Sequence, residues 1–317
     1  MIERFLVQDP PPSARAALRI GAHQLIELGT PPHAAVSATV SAAPKRFRGM
    51  VNAVLRKVAT ATKEGIEYPS DPIALSYPDW IVNRLRGDLG AEEADAALRI
   101  MNEAATVQKR EDGYMQDESS RRVADLVPSA PRTRVLDVCA APGGKATSIA
   151  TRGAFVAAAD LRGSRVGLIT SNVDRLGADD VAALQADATA PPFAPGSFDA
   201  VLVDAPCSGL GALRRRADAR WRITPADVDN LVALQLRILE AAAPMVRPGG
   251  TLVYSVCTLT LAESVGVVDS ARTSLVGLGF RSVDPGGDGW TTLGDGVEVL
   301  LPGPAHDGMC RAVFERA

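Results

Sequence analysis

Apolar residues recur at helical spacing through ARAALRIGAHQLIEL, with Leu18, Ala22, Leu25 and Ile26 on one face, until Gly29, Pro31 and Pro32 stop the pattern. A second helix is predicted over HAAVSATVSAA and ends before Pro44. A third follows over GMVNAVLRKVATATK, which sets Val51, Val54, Leu55 and Val58 on one face and Arg56 and Lys57 off it. Together these predict a small all-helical unit over residues 1–64. Pro69, Pro72 and Pro78 mark a linker and turn, and DWIVNRLRGDLG and AEEADAALRIMNEAA read as two more helices, so 65–112 is expected to be a helical linker region. From Arg134 the texture changes. RVLDVC, AFVAAAD, DDVAALQAD, FDAVLVDAPC and GTLVYSVC are short β-rich runs in alternation with helical patterns. That alternation predicts an α/β fold with a doubly wound, mainly parallel sheet, and the apolar strand interiors fit burial on both faces. Ligands of such sheets sit outside the carboxyl ends of the strands, near the point where strand order reverses.

The chain has 317 residues, room for two domains at about 100–200 residues each, or for one large domain with an appendage. With 46% hydrophobic and 22% charged residues it can bury a sizeable core, which excludes wholesale disorder. Aromatics at 4% argue against a stacking platform for single strands, and a net charge of −3 means that any grip on nucleic acid must come from local patches. Four cysteines are too few for a disulfide scaffold. No apolar run approaches the length of a membrane span, and the start, MIERFLVQDPPPS, has no leader-like pattern, so the expectation is a soluble protein of a reducing, cytoplasmic compartment with no membrane partner.

The first β-rich run leads into VLDVCAAPGGKATSIA, where Gly143 and Gly144 let the backbone approach a ligand and Lys145 opens the next helix. The spacing is not that of a phosphate-binding NTPase loop, nor that of a dinucleotide fingerprint. Asp160 ends the second run, where an acid can accept the hydroxyls of a ribose, and Asp187 ends the third, beside an adenine site. Each alone is commonly a helix cap or a solvated turn residue; the three in order favour an adenosine-bearing cofactor. Cys207 and Cys257 end the fourth and fifth runs, with Asp204 and Pro206 beside the first. A buried cysteine is usually a small hydrophobe, but two at a ligand-facing edge suggest chemistry. No C-x-x-C pair or histidine partner accompanies them, so no metal is expected. Cys139 belongs to the cofactor turn and Cys310 has no polar company, and both are read as structural.

DVCAAPGGK, DAPCSGLGALRRR followed by RW, YSVCTL and the terminal LLPGPAHDGM together resemble the RNA 5-methylcytosine methyltransferases of the Sun/Fmu (RsmB-like) type, over 113–317. LRIGAHQLIELGTPPHAAV and MVNAVLRK are similar to the second half of that family's NusB-like RNA-binding domain. The resemblance implies a Rossmann-like methyltransferase domain that takes S-adenosyl-L-methionine at Cys139, Ala140, Ala141, Pro142, Gly143, Gly144, Lys145, Asp160, Arg165, Asp187 and Asp204. It implies Cys257 as nucleophile towards C6 of a cytosine in RNA, because that ring is too feeble a nucleophile at C5 until a thiolate has added. Asp204 is implied as the acid at N3, Cys207 as the residue that helps release the product, and Lys145 as an electrostatic aid. Arg214, Arg215, Arg216, Arg220 and Arg222 are expected to grip phosphates at the mouth, with Lys45, Arg46 and Arg48 as a second RNA footprint. The implied substrate is small-subunit (16S) ribosomal RNA.

Relative to the family pattern, the chain starts inside the NusB-like unit, and between Asn102 and Gly113 it passes almost directly where the family carries a small α/β subdomain. The expectation is that cofactor binding is kept while RNA affinity or site choice is weakened. The competing readings are a non-catalytic cofactor- and RNA-binding assembly protein, and a methyltransferase acting on protein or a small molecule. Cys207, Cys257 and Asp204 speak against the first, and DAPC in place of an N-P-P-Y type tetrapeptide against the second.

Overall fold

A computed structural model describes residues 2–65, 73, 76–106, 108–294 and 296–317. The chain divides into two compact units, Met1–Ser70 and Asp71–Ala317. In the first, helices α1 (Pro12–Ile26), α2 (Pro32–Ala42) and α3 (Arg48–Glu64) bury Leu18, Ala22, Leu25, Val36, Val51, Val54, Leu55 and Val58 in one core. α1 and α2 both carry proline in their first turn, where the missing N–H costs no hydrogen bond. Gly21 sits where a Cβ would come within 2.5 Å of Leu55, so its lack of a side chain lets α1 and α3 pack closely.

The second unit begins earlier than the sequence suggests. Helices α4 (Asp79–Leu89) and α5 (Ala91–Ile100), expected in a linker region, contribute Ile81, Leu85 and Leu98 to the cluster that holds Val201, Val203, Leu252 and Tyr254 of the sheet. They are part of this unit's core and do not connect two bodies. Pro78 precedes α4, whereas Pro69 and Pro72 lie outside the described residues. Next come α6 (Glu118–Asp125), β1 (Arg134–Asp137), α7 (Gly144–Ala150), β2 (Phe155–Asp160), α8 (Gly163–Leu176), β3 (Val181–Gln185) and β4 (Phe198–Asp204). α9 (Pro225–Ala242), β5 (Val246–Val256), α10 (Val265–Gly277), β6 (Phe280–Val283), β7 (Trp290–Gly294), β8 (Val297–Leu300) and β9 (Met309–Arg316) complete the unit.

The strand order is β3-β2-β1-β4-β5-β9-β8-β7, with β6 also on β9. β1 to β5 are parallel neighbours, and everything beyond β5 is antiparallel. Alternate residues serve opposite faces: Val201 and Val203 of β4 enter one cluster while Ala200 and Leu202 enter the other. Strand order reverses between β1 and β4, so Asp137 and Asp204, their last residues, stand at the point where such sheets bind ligands.

Candidate active site

The turn after β1 is shaped by two glycines. Gly143 has φ +104°, in the left-handed region, and a Cβ on Gly144 would lie 2.9 Å from the ring of Tyr114. Asp137 is buried beneath this turn. Its Oδ1 accepts the Cys139 N–H at 3.3 Å, while its Oδ2 has no partner. Burial first, and the nearby Asp204 charge second, push its carboxyl up to about 7. Lys145, nearly enclosed, donates to Asp204 Oδ2 at 2.7 Å, and Asp204 Oδ1 accepts from Ser255 Oγ at 2.8 Å. Burial alone would depress the Lys145 ammonium, but the Asp204 charge and hydrogen bond outweigh it and hold the pKa above its ordinary value.

A cavity of about 350 Å³ opens over this pair, lined by Ala140, Ala141, Pro142, Gly144, Lys145 and Asp204, with Asp137 at its floor. Arg215, Arg216 and Asp307 also line it. So does a strap to which sequence analysis assigns no role at the site: Tyr114, Met115, Gln116 and Asp117. Arg110 holds the strap down, donating to Gly144 O at 2.7 Å and to Gln116 Oε1 at 2.9 Å. The buried orphan oxygen of Asp137 and the glycine cradle suit a ligand bearing an amino group and a close-fitting chain, as the amino-acid end of S-adenosylmethionine has. Other expected cofactor residues lie outside this lining. Asp160 accepts from Arg162 N and from Arg165 Nε at 2.9 Å, Arg165 also donates to Ala141 O, and Asp187 closes a local turn onto Thr189. Cys139 is half-buried against the core, and burial raises its thiol pKa.

The two chemically marked sulfurs meet. Cys207 Sγ and Cys257 Sγ are 3.2 Å apart, which leaves no room for a ring between them, and neither is among the residues that line the cavity. The loops that carry them are stitched together by backbone. Gly211 N donates to Cys257 O at 3.0 Å, Gly308 N donates to Gly211 O at 2.8 Å, and a Cβ on Gly211 would lie 2.5 Å from Gly308 O. The pair is electrically asymmetric. The contact with Cys207, together with Lys145 and Arg216, holds the Cys257 pKa below the usual thiol value despite burial and the Asp204 charge. Cys207, buried, in contact with Cys257 and near Glu263, is raised well above it. These directions favour Cys257 as the thiol that ionises first.

Several arginines expected at phosphates have other partners. Arg214 is 1% exposed and donates to Asp307 Oδ1 at 2.6 Å and to Gly303 O at 2.9 Å. Arg220 is buried, stacked 4.1 Å from the centre of the Tyr77 ring and hydrogen-bonded to Ser76 O and Asn102 Oδ1. Neither can reach RNA without unfolding its surroundings, because a run of charge in sequence does not show which guanidinium turns inward. Arg215 bridges Asp307 and Asp117 at the rim, Arg222 is exposed and paired with Asp218, and Arg216 is exposed at the mouth. In the first unit Lys45 and Arg46 are exposed, Arg46 over the Phe47 ring, while Arg48 donates to Ala43 O and Ser41 O at the end of α2. Sequence reasoning missed Asp137, Asp307, Glu263 and the strap; Asp137 and Asp307 stand inside motifs already singled out, which was the available signal.

Comparison with known proteins adds an independent line. A family model described as 16S rRNA methyltransferase RsmB/F matches residues 124–288, and the NusB family model matches residues 1–60. The ribosomal RNA small subunit methyltransferase B of Thermus thermophilus is 37% identical over 289 residues, covering 81% of this chain and 69% of that protein. Among solved structures, PH0851 superposes with a TM-score of 0.80 at 22% identity over 96% of this chain and 82% of its own, which speaks for the fold. NSun6 from Pyrococcus horikoshii with SFG gives a TM-score of 0.56 at 28% identity, over 64% of this chain and 53% of its own.

Proposed function

Since the chain belongs to the RsmB/F family of S-adenosylmethionine-dependent RNA cytosine-5 methyltransferases, we propose that it methylates a cytosine of 16S ribosomal RNA through Cys257, with Cys207 assisting release. The observation that carries this reading is the contact of the two sulfurs at 3.2 Å, beside the Lys145–Asp204 pair. The donor, when bound, supplies an electrophilic sulfonium methyl. Asp137, the Gly143–Gly144 turn and Asp204 would hold its amino-acid end, and Asp160, Arg165 and Asp187 its nucleoside end once Asp160 exchanges its own arginine for the ligand.

The remaining steps belong to the chain. Cys257 thiolate adds to C6, a bond that turns C5 into an enamine-like carbon. As negative charge moves onto the ring, the proton shared by Lys145 and Asp204, 2.7 Å apart, is available to N3. After transfer the C5 proton passes to solvent, its C–H electrons form the C5–C6 double bond as the Cys257–C6 bond breaks and the thiolate returns, and N3 gives its proton back to the Lys145–Asp204 pair; Cys207, already in contact with Cys257, assists by hydrogen-bonding to the departing sulfur. The cytosine must leave its stack to enter, since both of its faces and its edge are engaged. Arg216 and Arg215 at the mouth, and Lys45 and Arg46 on the first unit, are the proposed phosphate contacts. No helix among the described residues is long and apolar enough to cross a membrane, and ribosomal RNA places the proposed site of action in the cytoplasm.

Transfer of tritium from methyl-labelled S-adenosylmethionine to naked 16S RNA, followed by bisulfite sequencing, tests the proposal. One protected cytosine in 16S RNA supports it. Incorporation confined to another RNA, or none at all, removes the assigned substrate.

A further inference from the structure

One buried acid has no place in the mechanism above, yet touches both cysteine loops. Glu263 lies between β5 and α10 and is 0% exposed. Its Oε1 accepts from Ser208 N at 2.8 Å and Gln235 Nε2 at 3.1 Å; its Oε2 accepts from Ser208 Oγ at 2.5 Å and from Thr258 Oγ1 and Thr260 Oγ1, both at 3.0 Å. Ser208 follows Cys207 and Thr258 follows Cys257, so one carboxylate ties the residues next to both thiols. Gln235 extends the tie by donating to Pro206 O at 2.8 Å, and Tyr254 donates to the Glu263 carbonyl at 2.7 Å. Five polar groups converge on its two oxygens, one more than a carboxylate needs to be held in a single orientation.

We infer that Glu263 is a positioning residue that sets the order of the two thiols, holding Cys207 as hydrogen-bond donor and leaving Cys257 as the nucleophile. The surroundings agree from every side. Cys207 faces Cys257, Glu263 and Tyr254; Cys257 faces Cys207, Asp204, Lys145 and Arg216; Cys310, behind them, faces Glu263 and donates to Thr258 O. Lys145 and Arg216 act on Cys257, whereas Glu263, although it also reaches Thr258, engages Ser208 beside Cys207 with both of its oxygens. Negative charge near a thiol opposes its ionisation. Without such an asymmetry two sulfurs 3.2 Å apart would share one proton, and either could attack. The inference rests on the reading of Cys257 as nucleophile, but concerns which thiol ionises, and that can be measured without RNA.

The experiment is alkylation of the folded full chain by iodoacetamide across pH, with the two cysteine peptides quantified by mass spectrometry. In the unaltered protein Cys257 is alkylated at lower pH than Cys207; the reverse order overturns the inference, whatever any variant does. Glu263→Gln keeps size, removes the charge and replaces one acceptor oxygen by an amide donor, and raises the ratio of Cys207 to Cys257 alkylation by about tenfold, the equivalent of one pKa unit. Glu263→Asp keeps the charge and restores the original order. Thr260→Val removes one donor but leaves the carboxylate, and leaves the ratio unchanged. An unchanged ratio in folded Glu263→Gln, or an equal change in Thr260→Val, assigns Glu263 to loop packing only and overturns the inference. Methyl transfer surviving in Cys257→Ala would instead refute the proposed function, and the alkylation order would stand apart from it.

Discussion

Replacing Asp307 with alanine should loosen the wall of the active site more than any surface change. Asp307 is 5% exposed at its side chain and accepts Arg214 Nε at 2.6 Å and Arg215 Nε at 2.5 Å, while its N–H points to Asp117. Arg214 is 1% exposed, and its Nη2 already lacks a partner, so in Asp307→Ala it becomes a buried cation without a counter-charge. Breaking a buried pair in this way costs about 3–5 kcal/mol, more than a surface pair by several-fold. For a unit of about 250 residues, each kcal/mol moves the midpoint by about 2–4 °C, so the second unit should melt about 6–20 °C lower. Circular dichroism during heating measures this. Arg214→Met together with Asp307→Leu should recover part of the loss, because no charge is then left buried. A shift under 2 °C in Asp307→Ala, or a double variant worse than the single one, refutes the argument.

Arg216→Gln removes a cation that favours the Cys257 thiolate, so the acid limb of the single-turnover rate should move to higher pH; a limb that stays in place contradicts the electrostatic assignment. Asp137 has a folded value of about 7, above its unfolded one, so its contribution to stability is fully present below about pH 4 and is lost as pH rises through 7. Asp137→Asn should remove that loss, seen as a stability difference from the unaltered protein that grows in favour of the variant between those limits. Gly211→Ala should abolish methyl transfer, since its Cβ would meet backbone oxygens of Gly308 and Cys257. Gly167→Ala, on the exposed face of α8 with nothing within 4 Å, should stabilise by about 0.5–1 kcal/mol and leave transfer intact, as measured by denaturation and tritium uptake.

Much of this was legible along the chain because buried parallel strands announce themselves as short apolar runs. β1, β2 and β4 fall within the runs containing RVLD, FVAAAD and FDAVLVD, β5 extends the run containing TLVYSV back to Val246, and the convergence of Cys207 with Cys257 follows once these are neighbours. The antiparallel edge from β6 to β9 was not legible, since its pairing depends on contacts with β5 and not on a local period. The arginines were misread for a related reason. Whether Arg214 or Arg216 meets solvent depends on Asp307, some ninety residues away in sequence, and whether Arg220 does depends on Tyr77. The strap over the cavity carries no local signal of its role, because a wall there needs Gly144 and Tyr114 side by side. α4 and α5 read as a linker because Pro69, Pro72 and Pro78 precede them, although their apolar faces are those of core helices.

The most direct measurement is the fate of RNA mixed with S-adenosylmethionine and either cysteine variant, resolved on a denaturing gel. Cys207→Ala should accumulate RNA covalently joined to protein, with Cys257 found at the junction by mass spectrometry, and Cys257→Ala should give neither adduct nor methylated product. An adduct carried by Cys207, or methylation at the unaltered rate in Cys257→Ala, would show that the two sulfurs do not divide the work as proposed.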